Sequence, residues 1–230
     1  MILNIAHRGG MGLEPENTLR AFSRAYSSGA DGIEFDVQRT ADGRLVVFHD
    51  KDLERITGFK ANLKDTTFSE LQKLDAGKGE KVPLLEETLY LAYGFKLVLI
   101  IELKNPEFYP GIEKQLLDLI SGIYHPGLVR IASFNMECLE RLRILNPTIH
   151  LVRNFRFNMP SNNEHYDTAS IDARNLKYFP WRLRGYRMHC RDIFVWVVNR
   201  KHDMRYFIKA GVNAIITDYP DRLNELIDKK

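Results

Sequence analysis

Two cysteines, Cys138 and Cys190, are all that 230 residues carry. That rules out a disulfide framework and makes the cytoplasm the expected location. Neither cysteine has a neighbouring motif that would activate a thiolate. No segment approaches the roughly 18 uninterrupted apolar residues of a membrane helix. The apolar start, Met1 to Ala6, is too short for a signal-peptide core and has no basic lead. Stable membrane association is therefore not expected. No Gly-rich phosphate fingerprint follows the first apolar run, which argues against an open doubly wound sheet. Charge of one sign is not in excess either: 33 Lys and Arg face 30 Asp and Glu. A net charge of +3 does not call for nucleic acid and tolerates an anionic small molecule such as a phosphate.

What is present is an alternation. Apolar, β-branched runs near 2–6, 32–38, 45–48, 97–103, 128–132, 148–152, 168–172, 193–198 and 213–216 read as strands. Helical patterns near 18–29, 69–75, 85–93, 111–122, 136–145 and 202–210 fill most gaps, with Asn17 as the expected cap of the first. Residues 153–192 are the least periodic stretch, and 177–191 reads as an irregular helix or a surface loop. One connection breaks the alternation. Only Thr40-Ala41-Asp42-Gly43-Arg44 separates Arg39 from Leu45, too few residues for a parallel crossover. Asp42-Gly43 is a hairpin signal, so 45–48 should return antiparallel. The remaining eight strands predict a closed (β/α)₈ barrel with a β-hairpin extension after the second strand.

Ionisable groups inside apolar runs are costly unless paired or bound to metal. His7, Glu34, Asp36, His49 and Glu102 all lie in or at the end of such runs. Glu34 and Asp36 are two apart on one strand, hence on one face, and Glu102 and Lys104 repeat that spacing on a later strand. Three carboxylates at a barrel mouth suit Mg²⁺ or Ca²⁺, with Mn²⁺ a further candidate. The competing reading is a structural ion pair from Glu102 to Lys104 or Arg8. His7 and His49 at strand ends are suited to paired proton transfer, and Arg8 beside them to a phosphate. Asn17 could reach across to hold a catalytic group. Phe134, Phe194 and Trp196 could wall a pocket or fill the core.

The ordered motifs His7-Arg8-Gly9, Pro15-Glu16-Asn17-Thr18, Ile33-Glu34-Phe35-Asp36-Val37, Val47-Phe48-His49-Asp50, Ile101-Glu102-Leu103-Lys104, Ser133-Phe134, Trp196-Val197-Val198-Asn199 and Ile216-Thr217-Asp218 run nearly end to end. In them the chain resembles the glycerophosphodiester phosphodiesterase family. Leu84 and Val197 depart from it, standing where that family usually has threonine. The resemblance implies a TIM-type, phosphatidylinositol-phospholipase-C-like barrel over residues 1–230 as one domain. It implies a divalent cation on Glu34, Asp36 and Glu102, and His7 and His49 as general base and acid. It places phosphate on Arg8 and Lys104, and a pocket wall at Trp196; Phe134 is a candidate for the same wall. The expected reaction is hydrolysis of glycerophosphodiesters to glycerol phosphate and an alcohol, with a substrate hydroxyl or water attacking phosphorus. Action on lysophospholipids, or a catalytically silent binding barrel, are the alternatives.

Overall fold

Leu-, Ile- and Val-rich runs without alternation fold as strands covered on both faces. The structure, a computed structural model, describes residues 2–161 and 164–227. Its strands are β1 (Leu3–His7), β2 (Gly32–Arg39), β3 (Leu45–Val47), β4 (Val98–Leu103), β5 (Val129–Ser133), β6 (His150–Phe155), β7 (Thr168–Asp172), β8 (Asp192–Trp196) and β9 (Ala214–Thr217). The helices are α1 (Leu19–Ser27), α2 (Glu54–Thr57), α3 (Phe68–Leu71), α4 (Leu85–Phe95), α5 (Ile112–Ile123), α6 (Met136–Leu145), α7 (Ala173–Tyr178), α8 (Arg182–Arg187), α9 (Lys201–Lys209) and α10 (Pro220–Asn224).

Strands run in the order β1-β9-β8-β7-β6-β5-β4-β2-β3, and β1 also pairs with β2, which closes an eight-stranded ring. Every pairing in the ring is parallel. This is the expected (β/α)₈ barrel. β3 lies outside the ring and pairs antiparallel with β2, Val37 opposite Val47 and Arg39 opposite Leu45. The hairpin turn is held locally. Thr40 Oγ1 donates to Asp42 Oδ1 at 2.6 Å and accepts from Arg44 N at 2.9 Å, while Gly43 takes φ +83°.

The hydrophobic residues sort into three layers. The largest cluster lies between the sheet and its helices, with Phe22, Phe35, Leu89, Leu116, Leu139 and Phe207 wholly or almost wholly buried. A second, Ile5, Ile100, Ala132, Val152, Phe194, Ala214 and Ile216, plugs the barrel interior. Phe194 thus belongs to the core rather than to a pocket wall. The third, Val46, Phe48, Leu53, Leu63, Leu71 and Val82, anchors the hairpin and the residues after it.

Three local expectations change. Thr18, not Asn17, caps α1: its side chain accepts from Ala21 N, while Asn17 turns inward at φ +57°. The helix expected over 69–75 stops at Leu71. The chain then turns on Asp75, whose carboxylate accepts from Gly77 N and Gly79 N at 2.7 and 3.1 Å. The stretch 177–191 is neither one helix nor a loop: α7 ends at Tyr178, Pro180 breaks the run, and α8 follows. Residues 162 and 163, in the poorly periodic region, lie outside the described residues.

Two glycines separate backbone strain from steric clash. A Cβ at Gly43 would meet nothing within 4 Å among the described residues, whereas one at Gly9 (φ +80°) would sit 2.7 Å from Phe22 Cδ1 and 2.8 Å from Ala21 Cβ. Gly43→Ala should cost about 1–2 kcal/mol, the left-handed penalty alone. Gly9→Ala should cost clearly more, in urea unfolding of both variants. Equal losses would refute the packing argument at Gly9.

Candidate active site

Strand register does most of the assembly. His7 on β1 pairs with Glu34 on β2, and Asp36 on β2 pairs with Glu102 on β4. Because the strands are parallel, all four reach the same, C-terminal, end of the barrel, where barrels build their sites. The hairpin return then brings His49 to this mouth. His7, Arg8, Glu34, Asp36, His49, Glu102, Lys104, Phe134 and Trp196 all line one cleft there, with an open volume of about 640 Å³. All nine residues expected from the sequence meet in this one place.

Glu34, Asp36 and Glu102 are buried, and each offers a carboxylate oxygen within 4.8 Å of the others. Lys104 Nζ lies 2.9 Å from Glu102 Oε1 and 3.7 Å from Asp36 Oδ1. The Glu102–Lys104 ion pair that competed with a metal site is therefore present, within the carboxylate cluster. Arg8 donates its backbone N–H to Glu34 Oε2 at 3.1 Å, and its Nε lies 3.4 Å from Asp36 Oδ2. Asn17 Nδ2 donates to Asp36 Oδ2 at 3.0 Å, and Asn154 Nδ2 to Glu102 Oε2 at 3.1 Å.

Each histidine is held by a carboxylate on its Nδ1. His7 Nδ1 is 2.6 Å from Asp218 Oδ1, and His49 Nδ1 is 2.6 Å from Asp50 Oδ1. A carboxylate acceptor assigns the proton to Nδ1 and leaves Nε2 for chemistry. His7 Nε2 is 4.0 Å from Glu34 Oε2. The orienting groups are themselves oriented. Asn199 Nδ2 donates to Asp218 Oδ2 at 2.6 Å, and Arg55 bridges Asp50 to Glu16, which also accepts from Arg8. Buried Gln38 places Nε2 at 2.9, 3.2 and 2.8 Å from the carbonyl oxygens of Phe48, His49 and Asp50. Sequence reasoning assigned no role to Asp50, Asp218, Asn154, Glu16, Asn199, Arg55 or Gln38. Asp50 and Asp218 stood inside quoted motifs, but their partnership with a histidine depends on the tertiary fold or on side-chain direction.

Burial, then the charge on Asp36, push Glu34 up to about 7. Burial likewise raises Glu102, against the pull of Lys104. Burial would also raise Asp36, but Lys104, His49 and Arg8 together hold it below the ordinary carboxylate range. Burial disfavours a charged His7, yet the Asp218 hydrogen bond and the Glu34 charge outweigh it and raise the imidazole above its ordinary value. The protein's own cations thus leave two of three carboxylates under-compensated. A hard divalent cation with oxygen ligands fits that donor set. Two buried donors lining the cleft, Arg8 Nε and Trp196 Nε1, make no hydrogen bond among the described residues. Phe134 meets Trp196 edge to face, ring centroids 5.7 Å apart.

The model of the glycerophosphoryl diester phosphodiesterase family matches residues 7–222. The chain belongs to that family. A glycerophosphodiester phosphodiesterase of Caldanaerobacter subterraneus is 38% identical over 99% of this chain and 98% of its own length. A human lysophospholipase D is 25% identical over 97% of this chain and 85% of its own. Among solved structures, an Oleispira antarctica phosphodiesterase in complex with the product sn-glycerol-3-phosphate superposes with a TM-score of 0.85. It is 26% identical, covering 98% of this chain and 96% of that one.

For this family member the His7–Asp218 pair makes a titration testable in metal-free protein. The raised value should be read as a midpoint above about 6.5 in a ¹H–¹⁵N titration of His7. Asp218→Asn removes the main raising contact, so burial should dominate and the midpoint should fall. An unchanged or higher midpoint would show that Asp218 does not hold the imidazolium.

Proposed function

We propose that this chain hydrolyses glycerophosphodiesters to glycerol phosphate and a free alcohol, with residues 1–230 acting as one catalytic domain. The observation that carries the proposal is the convergence, on one cleft, of three buried carboxylates with two histidines whose Nδ1 atoms are both held by carboxylates. Glu34, Asp36 and Glu102 would hold the cation, with Mg²⁺ or Ca²⁺ favoured by the all-oxygen set and Mn²⁺ also accommodated. When bound, it would supply Lewis-acid polarisation of the phosphoryl oxygens.

The protein's own groups do the rest. Arg8 and Lys104 set fixed positive charge beside the carboxylates and offset charge developing on phosphorus. One histidine Nε2 accepts the proton of the attacking hydroxyl or water as the new P–O bond forms. The other donates to the leaving alkoxide as the old P–O bond breaks. Asp218 and Asp50 keep both rings in the Nδ1–H tautomer. Trp196 and Phe134 wall the side of the cleft that would face the alcohol. The two cysteines and the soluble substrate class support a cytoplasmic role in glycerol and lipid metabolism.

Glu102→Gln should lose most activity while unfolding normally, because an amide is a weaker ligand for a hard cation. EDTA should abolish turnover and added Mg²⁺, Ca²⁺ or Mn²⁺ restore it. Full activity of stripped, metal-free protein would refute the metal role. His7→Ala and His49→Ala should each lower kcat by at least about 10²-fold, and the double variant should be little worse than the worse single. The rival substrate class is the lysophospholipids. The deciding quantity is kcat/KM for glycerophosphocholine or glycerophosphoethanolamine against the matching lysolipid. A lysolipid preference above about tenfold, roughly 1.4 kcal/mol in transition-state binding, would overturn the assignment.

A further inference from the structure

One sector of the mouth is unlike the rest of the surface. From Ala173 to Arg184 the chain carries four Lys or Arg and no Asp or Glu, against near parity over the whole chain. The same sector, with the loop after β6, exposes large apolar tips: Phe157 is 45% exposed, Met159 40%, Tyr178 68% and Trp181 69%. Large apolar side chains gathered in one exposed region mark an interaction surface.

Contacts make the patch continuous with the cleft. Arg156 lines the cleft and stands 5.7 Å over the ring of Phe134 at its rim. Beside it, Phe157 lies 5.8 Å beneath Arg174, and its carbonyl accepts from Arg182 Nη1 at 2.9 Å. Arg182 covers Phe179 at 4.2 Å, and Phe179 meets Trp181 edge to face at 5.5 Å. Tyr186 Oη donates to the Asn158 carbonyl, which ties the loop down onto α8. Two acids temper the patch from its margins: Asp172 pairs with Arg174, and Asp203 with Lys177.

We propose that this face, from Phe134 and Arg156 to Trp181 and Arg184, docks reversibly on an anionic lipid surface. Trp and Tyr favour the level of the lipid headgroups, where an apolar ring and a polar edge are both satisfied. Arginines around them are attracted to an anionic leaflet. A second copy of this chain is the poorer occupant, because self-apposition sets like charges face to face. Single-stranded nucleic acid is also poorer: it stacks on ring faces, and here guanidinium groups already cover those of Phe134, Phe157 and Phe179. Such docking is a surface contact that needs no membrane span. It would bring the cleft against the lipid, and it stands on the surface itself rather than on the assigned reaction.

The test is sedimentation of the full chain with phosphatidylcholine vesicles, with and without one quarter phosphatidylglycerol, at low and high salt. Binding is expected to the anionic vesicles only, to weaken with salt, and to shift Trp emission to the blue in wild type but not in Trp181→Phe. Tyr178→Ala/Trp181→Ala should bind at least about tenfold more weakly. Arg184→Glu should bind about fivefold more weakly or worse, the scale for one basic side chain at a charged bilayer. Both variants should still hydrolyse a soluble diester at the wild-type rate. No binding to anionic vesicles, equal binding to neutral ones, or variants that bind like wild type would overturn the proposal. So would a single-stranded oligonucleotide that binds more tightly than the vesicles and is lost with the same variants.

Discussion

Three carboxylates buried within 4.8 Å of one another are the constraint around which this molecule is arranged. Left alone, such a cluster would be among the costliest groups a fold can bury. The chain answers with Arg8 and Lys104, with the amides of Asn17 and Asn154, and with the backbone N–H of Arg8. Arg8 and Asn17 both take positive φ to reach their partners. Two non-glycine residues in that region cost the fold stability, and both do so within hydrogen-bonding distance of the acidic cluster. The compensation stops short of complete, as the raised values of Glu34 and Glu102 show, and a divalent cation would complete it.

The apolar design beneath the site follows from the same geometry. Inward positions two residues before four of the cleft residues carry the barrel plug: Ile5 below His7, Ile100 below Glu102, Val152 below Asn154 and Phe194 below Trp196. A period of two along each strand therefore puts a dry floor directly under a polar mouth. That floor limits water and lets electrostatic interactions above it act at short range in a low dielectric.

The hairpin and the residues after it carry His49, and their own apolar cluster holds them against the barrel. Gln38 links the two parts. It sits on β2 in register with Val46, binds the carbonyls of residues 48–50 on one side, and accepts from Asn105 and Tyr109 on the other. Glu16 joins Arg8 to Arg55, and Arg55 joins Asp50. Arg8 and His49 are thus parts of one hydrogen-bonded network.

The eight strands, the hairpin after β2 and the nine residues that line the cleft were legible in the chain because each rests on a local signal. β-Branched runs mark strands, a five-residue link forbids a crossover, and a charge within an apolar run marks a buried polar site. Even the carboxylate cluster follows from spacing of two on β2 and the matching pair at the end of β4. What only the tertiary structure decided is every relation between residues far apart in sequence. Asp218 reaches His7 across 211 positions, and Asn154 reaches Glu102 across 52. No periodicity records such pairs, since they arise only when the strands are assembled into a ring and their ends face one another around the mouth. Asn17 stands between the two: its reach toward the site was expected from the sequence, but that its partner is Asp36, and that Thr18 caps the helix, came from the fold. The chain determined which groups would be buried and on which face; closure of the barrel determined which of them touch.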